Sequence, residues 1–115
     1  MGDSSSQGGL RTNWFHVLVA LAEHDRHGSA IARDVLDQTG GDLTLWPATL
    51  YRTLDDMQAA GLIVEVSERE RPAEAGGRSR YYRATRRGRA ELRAATERMA
   101  RLLGTARRRL RDASS

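Results

Sequence analysis

Apolar residues recur along this chain with two different periods, and the points where the period changes divide it into elements. From Asn13 to Asp25, the residues Phe15, Val17, Leu18, Leu21 and Ala22 return at helical spacing, which predicts a first helix with Asn13 as its N-cap. Gly28 interrupts that pattern, and Ser29 is placed to cap a second helix bearing Ile31, Val35 and Leu36, ended by Gly40-Gly41. Pro47 suits the first position of a third helix, where its missing N–H costs nothing. Leu50, Leu54 and Met57 stand at i, i+4 and i+7, so they face the core, and Gly61 stops the helix after Ala60. The period then becomes two. Leu62, Val64 and Val66 alternate with Ile63 and Glu65, as in a strand. Ser67 to Gly77 is charged and carries Gly and Pro, which suits a long exposed wing, and Arg80 to Ala84 is the returning strand.

Thr85 is placed to cap the last and longest helix, which reaches about Arg111 and spans roughly 40 Å at 1.5 Å per residue. Within it Leu92, Ala95, Met99, Leu102 and Ala106 fall at spacings of 3, 4, 3 and 4. With Leu103 they form a seam that needs a partner helix. The expected fold is therefore mostly α with a small β-hairpin. A winged helix-turn-helix covers residues 13–84, after a flexible leader over 1–12. A dimerisation helix over 85–111 and a short tail, 112–115, complete it.

Composition sharpens this picture. A chain of 115 residues, 39% hydrophobic and 30% charged, is one globular domain without room for a second catalytic one. Charge is divided unevenly. Residues 1–60 hold 4 Arg against 8 Asp and Glu, a net of −4, while residues 61–115 hold 15 Arg against 7, a net of +8. Six Arg and no acid lie between Arg78 and Arg89, a field suited to polyanions. All 19 cations are Arg, which suits phosphate and guanine but is better explained by a coding preference for Arg codons. Cys is absent, so disulfides and thiolate chemistry are excluded. Neither a signal peptide nor an apolar run of the ~20 residues needed to span a membrane is visible, so the cytoplasm is the expected compartment.

Catalysis is not expected. There is no Gly-rich phosphate loop and no assembled Ser, His and acid set. His16 and His27 share a helical face but would stand ~16 Å apart along the axis, too far to share an ion, so no metal or other cofactor is expected. The third helix offers a different chemistry. A helical wheel places Ala48, Arg52, Asp55 and Ala59 opposite the core and Thr49 and Tyr51 on the flanks. Hydroxyl, phenol and guanidinium thus gather at the N-terminal end, where the helix dipole also favours phosphate. Asp55 and Asp56 follow one turn later, so the helix would enter a groove of double-stranded DNA tip first. In the wing, Arg78 and Arg80 are stronger candidates than Arg69 and Arg71, which alternate with Glu68, Glu70 and Glu74.

These residues resemble the PadR family of bacterial transcriptional regulators. The landmarks are His27-Gly28, Pro47-Ala48-Thr49-Leu50-Tyr51, Gly61-Leu62-Ile63, Gly76-Gly77-Arg78, and Tyr81-Tyr82-Arg83-Ala84-Thr85 with Gly88. They cover roughly Val17 to Leu92. The resemblance implies a DNA-binding repressor, a homodimer joined through the C-terminal helix, and DNA contacts at Thr49 and Tyr51 of the third helix and at Gly77 and Arg78 of the wing. It implies for some members a planar aromatic effector at the dimer centre, for which Trp14 and Phe15 are the nearby candidates here. Two departures stand out. Trp46 and Ala48 flank the proline where the family often has Ser and Gly, so the third helix loses a side-chain cap and Trp46 is expected to be packed. The rival reading is a winged helix for protein recognition, its basic wing bound to an acidic partner.

Overall fold

The computed structural model describes residues 10–71 and 80–114. Four helices and three short strands follow one another: α1 (Thr12–Ala20), β1 (Arg26–His27), α2 (Gly28–Gln38), α3 (Pro47–Ala59), β2 (Ile63–Glu65), β3 (Tyr81–Ala84) and α4 (Arg86–Ser114). A 3₁₀ turn, Glu68–Glu70, follows β2. The strands form one antiparallel sheet in the order β1-β3-β2. Ile63 pairs with Ala84, Val64 with Arg83 and Glu65 with Tyr82, while Arg26 and His27 pair with Tyr82 and Tyr81. The wing residues 72–79 and the leader residues 1–9 lie outside the described part.

The core is built from the faces the periodicity marks. Val17 and Leu18 of α1, Ile31 and Val35 of α2, and Leu50, Leu54 and Met57 of α3 are all buried, and Leu62, Ile63, Tyr82 and Ala84 close it from the sheet. Leu36, grouped with the α2 stripe from sequence, is exposed instead. α2 and α3 end alike. Gly41 N–H bonds to Leu36 O and Gly40 N–H to Asp37 O, as Leu62 N–H bonds to Met57 O and Gly61 N–H to Gln58 O. These are Schellman ends, which need a positive φ at the turning residue, and Gly40 and Gly61 supply it at 60° and 80°.

Several boundaries differ from the sequence expectation, each for a local reason. α1 begins after Arg11, with no side-chain cap, so Asn13 lies inside the helix rather than at its cap. It stops at Ala20 instead of Asp25, yet Leu21 is still buried: apolar spacing reports burial, which continues past the last helical turn. Residues 26–27 then leave the helix to pair with β3, so the expected hairpin is a three-stranded sheet. α2 is capped by His27, whose Nδ1 accepts the Ala30 N–H at 3.2 Å, and not by Ser29. In β2 it is Ile63 that turns inward while Val64 is 44% exposed, because Leu62 packs from the turn before the strand and so falls out of register with it. Leu10 packs against the core rather than belonging to a leader. α4 runs through Ser114 rather than ending near Arg111, its last turn closed by Ser114 Oγ donating to Leu110 O at 2.8 Å.

One joint ties these parts together. Thr85 N–H donates to Leu62 O at 3.0 Å and Thr85 Oγ1 to Gly61 O at 2.7 Å, while Gly88 N–H donates back to Thr85 Oγ1 at 3.0 Å. The cap of α4 is therefore also the clasp on the end of α3. Gly88 sits so close beneath the Leu62 carbonyl that any Cβ would overlap that oxygen, a backbone atom with no freedom to swing away. Gly88→Ala should accordingly destabilise the fold by about 1–3 kcal/mol through overpacking, against the ~1 kcal/mol that alanine would otherwise gain as a helix former. Denaturant midpoints measure this, and a variant as stable as the parent would show that the joint is loose.

Candidate nucleic-acid interface

α3 presents two faces of opposite character. Its inner face holds Leu50, Thr53, Leu54 and Met57, all buried; Ala48, Thr49, Tyr51, Arg52, Asp55 and Ala59 are exposed, as the helical wheel requires. The polar groups gather in the first two turns. No acidic side chain stands in the first turn, so the positive end of the helix dipole is left available to an anion. Arg52 forms no ion pair with Asp55 or Asp56 among the described residues, and its guanidinium remains a charge directed at solvent.

Trp46 is the N-cap residue, with φ −65° and ψ 154°, and its side chain makes no capping bond. The loss of a side-chain cap matches the sequence expectation. Its expected packing does not: the indole is 71% exposed, because Pro47 and the Leu50 N–H bond to Trp46 O, 2.8 Å, fix the backbone with the ring outside the core.

Tyr51 is 41% exposed, and one side of its ring is occupied. A Cβ on Gly28 would come within 2.7 Å of the Tyr51 hydroxyl and 3.1 Å of the ring, so the phenol lies across the start of α2. This gives a physical reason for pairing His27-Gly28 with Tyr51 in one sequence. His27 caps α2, Gly28 leaves room, and Tyr51 is braced in an orientation it could not hold alone. His27 also meets Tyr81 edge to face at 5.5 Å between ring centres.

Arg80 is exposed, and its guanidinium is held more firmly charged than usual by hydrogen bonding to Tyr82, then by Glu65. Tyr82 itself is buried. Burial pushes its phenol above the ordinary value, the bond to Arg80 works against this, and the charges of Glu65 and Tyr51 add to the rise. Tyr82 thus feels the charge of Arg80 at the root of the wing and, more weakly, that of Tyr51 of α3. Gly77 and Arg78, the other wing residues singled out from sequence, lie outside the described residues.

Arg83 plays a different part from its neighbours in the basic run. It grips Asp25 with two nitrogens, Nη2 to Oδ2 at 2.9 Å and Nε to Oδ1 at 3.1 Å, and reaches Glu70 at 3.5 Å. One of the six arginines is therefore structural. It fastens β3 to the turn before β1, an assignment that counting charges along the chain cannot make. Arg71, set aside in favour of Arg78 and Arg80, is mostly covered and pairs with Glu65 at 3.9 Å.

The helical seam of α4 divides in two. Leu92 packs on the core and Ala95 is 3% exposed in the single chain. Met99, Leu102, Leu103 and Ala106 lie open, as does Leu110 one turn further on. Phe15 joins Leu10, Ala95, Arg98, Met99 and Leu102 in lining an apolar cleft of about 300 Å³. Trp14 is not part of that lining; it packs against the core with the Arg11 guanidinium 4.9 Å above its ring. The three histidines are each engaged: His16 of α1 with Gln38 of α2 at 2.7 Å, His24 with its neighbour's carbonyl, His27 as the cap. Among the described residues no set of three His, Asp or Glu is grouped to hold a metal, and no helix is long and apolar enough to cross a membrane.

Comparison with known proteins agrees with this fold. The profile of the Transcriptional regulator PadR-like family matches residues 17–94. No curated protein matches the chain in sequence. Among solved structures, a PadR family transcription regulator from Clostridium difficile R20291 is 22% identical with a TM-score of 0.70, over 87% of this chain and 99% of that one. A transcriptional regulator from Clostridium thermocellum is 18% identical with a TM-score of 0.65, over 94% and 96%. RosR of H. salinarum is 26% identical with a TM-score of 0.60, over 91% and 88%.

The buried Tyr82 makes a test of this arrangement in alkali. A phenol whose folded value is raised contributes stability that is fully present below its unfolded value, about 10, and is lost as the pH rises through the folded value. Urea midpoints should hold steady below about pH 10 and fall above it, and Tyr82→Phe should flatten the fall. An equal decline in both proteins would contradict the burial of the hydroxyl.

Proposed function

The chain belongs to the PadR-like family of transcriptional regulators, and from that premise we propose that it is a repressor that binds a pseudo-palindromic operator as a homodimer. The tip of α3 enters the major groove and the wing holds the flanking backbone. Ala48, Thr49, Tyr51 and Arg52 are the helix contacts; Arg80, with Gly77 and Arg78, makes the wing contacts. One observation carries this reading above the rest: Ala48, Thr49, Tyr51 and Arg52 are all exposed at the N-terminal end of α3, with no acid in its first turn and no ion pair on Arg52 among the described residues. Phosphate contacts from such a surface position the protein, while base edges met by the helix specify the site. The cytoplasm is the compartment this activity requires.

Dimerisation completes the geometry. An apolar strip of Met99, Leu102, Leu103 and Ala106 on a 29-residue helix is best satisfied by its counterpart in a second copy, with Phe15 at the edge of the shared cleft. Two α3 tips related by a two-fold axis would read half-sites about 34 Å apart or a multiple of that. An aromatic effector at the dimer centre would meet Phe15 and Arg98, while Trp14 would act only through its packing.

Two outcomes are expected. Mobility shifts should show preference for the protein's own upstream region over random duplex, and Arg80→Ala should weaken binding evenly across sequences while reducing the log-log salt slope by about 1. Failure to bind that region at low salt would favour the rival, an acidic protein partner. Separately, Met99→Glu, Leu102→Glu and Leu103→Glu together should give folded monomers by sedimentation, because all three lie outside the protomer core. A variant that remains dimeric would remove α4 from the interface.

A further inference from the structure

Apart from Leu36 and Val64, each isolated on its own element, the large apolar side chains left exposed fall into two groups. Met99, Leu102, Leu103 and Leu110 belong to α4, where a second copy would cover them. The other group stands at the tip of α3: Trp46 at 71% and Tyr51 at 41% exposed, with Pro47 and Ala48 exposed between them. Trp46 has no role in the fold described so far. Its side chain makes no capping bond, lines no core cluster and makes no ring contact among the described residues. Yet it is mounted rigidly, since Pro47 follows it and its carbonyl accepts the Leu50 N–H.

We infer that Trp46 is a specificity determinant, its indole making apolar contact with the C5-methyl of a thymine in each half-site. The inference rests on the reading of α3 as the helix that enters the groove. An indole carries no charge and one N–H donor, so phosphate is a poor partner for it. The floor of the major groove offers one distinctly apolar feature, the thymine methyl, and apolar side chains at the leading end of a helix reach it. Trp46-Pro47-Ala48 presents an uninterrupted apolar surface at that leading end, whereas Thr49 and Arg52 supply the polar contacts one turn on. A tryptophan on a fixed backbone has only two side-chain torsions to immobilise, so ordering it on DNA costs little entropy.

The test uses the full chain and its own operator with thymine replaced by deoxyuridine one position at a time, which removes only the methyl group. The parent protein should lose affinity about fivefold or more at one position in each half-site. Trp46→Ala should bind the unmodified site more weakly by a similar factor and be indifferent to deoxyuridine at that position. The chain has two Trp, so in Trp14→Phe the emission reports Trp46 alone. It should be readily quenched by acrylamide in the free protein and protected on the operator. Uniform weakening without any sensitive position would overturn the methyl contact, as would an unaffected Trp46→Ala or a Trp46 already shielded in the free protein. A parent protein that binds no DNA would instead strike down the functional reading itself.

Discussion

Everything this protein presents to the outside depends on the joint where Thr85 clasps the end of α3 while capping the start of α4. Three hydrogen bonds and the missing side chain of Gly88 bring the C-terminal end of α3 against the first turn of α4. The other end of α3, with its exposed tip, therefore stands about 20 Å away along a helix of 13 residues. A helix intended to probe a ligand with its first turn must be held by its last. The Schellman bonds at Gly61 and the buried Leu50, Leu54 and Met57 supply that hold. Because α4 leaves from the same joint, any pairing of its outer strip determines how far apart two such tips stand.

A second fixation works across the sheet. The Arg83 grip on Asp25 binds β3 to the turn before β1, and β1 leads directly into the His27 cap of α2. Tyr51 leans on Gly28 at that same helix start. The brace from β3 through β1 to α2 thus ends at a residue of α3 that faces outward. Charge is used in two ways here: Arg83, with carboxylates on either side, holds the chain to itself, whereas Arg52 pairs with no carboxylate among the described residues. The net +8 of residues 61–115 overstates the field for that reason.

Helices were readable in the sequence because each buries one stripe, and Ile31, Val35, Leu50, Leu54 and Met57 write that stripe at helical spacing. The exposed set Ala48, Arg52, Asp55 and Ala59 followed from the same wheel. What escaped was decided by partners distant in the chain. Arg26-His27 has no alternation of its own and is a strand only because Tyr81 and Tyr82 lie beside it. His27 caps a helix from outside the usual Ser, Thr, Asp and Asn set, so Ser29 was the natural but mistaken choice. Ile63 and Val64 exchanged faces because a three-residue strand carries too short a pattern to set its register. Trp46, standing where the family often has Ser, was expected to be packed, and its exposure follows from the backbone that Pro47 imposes. The fit of the Tyr51 ring across Gly28 had no signal beyond the His27-Gly28 and Tyr51 landmarks, since it is a property of two helices together.

The central claim is that two α3 tips, mounted on one dimer, engage one face of a duplex. Hydroxyl-radical footprinting of the protein on its own upstream region measures this most directly, since it maps protection nucleotide by nucleotide. The account predicts two protected patches per strand, symmetric about a centre and separated by about one helical turn or a whole multiple of it. A single unsymmetrical patch, or uniform cleavage at concentrations where the protein is folded and paired, would contradict it.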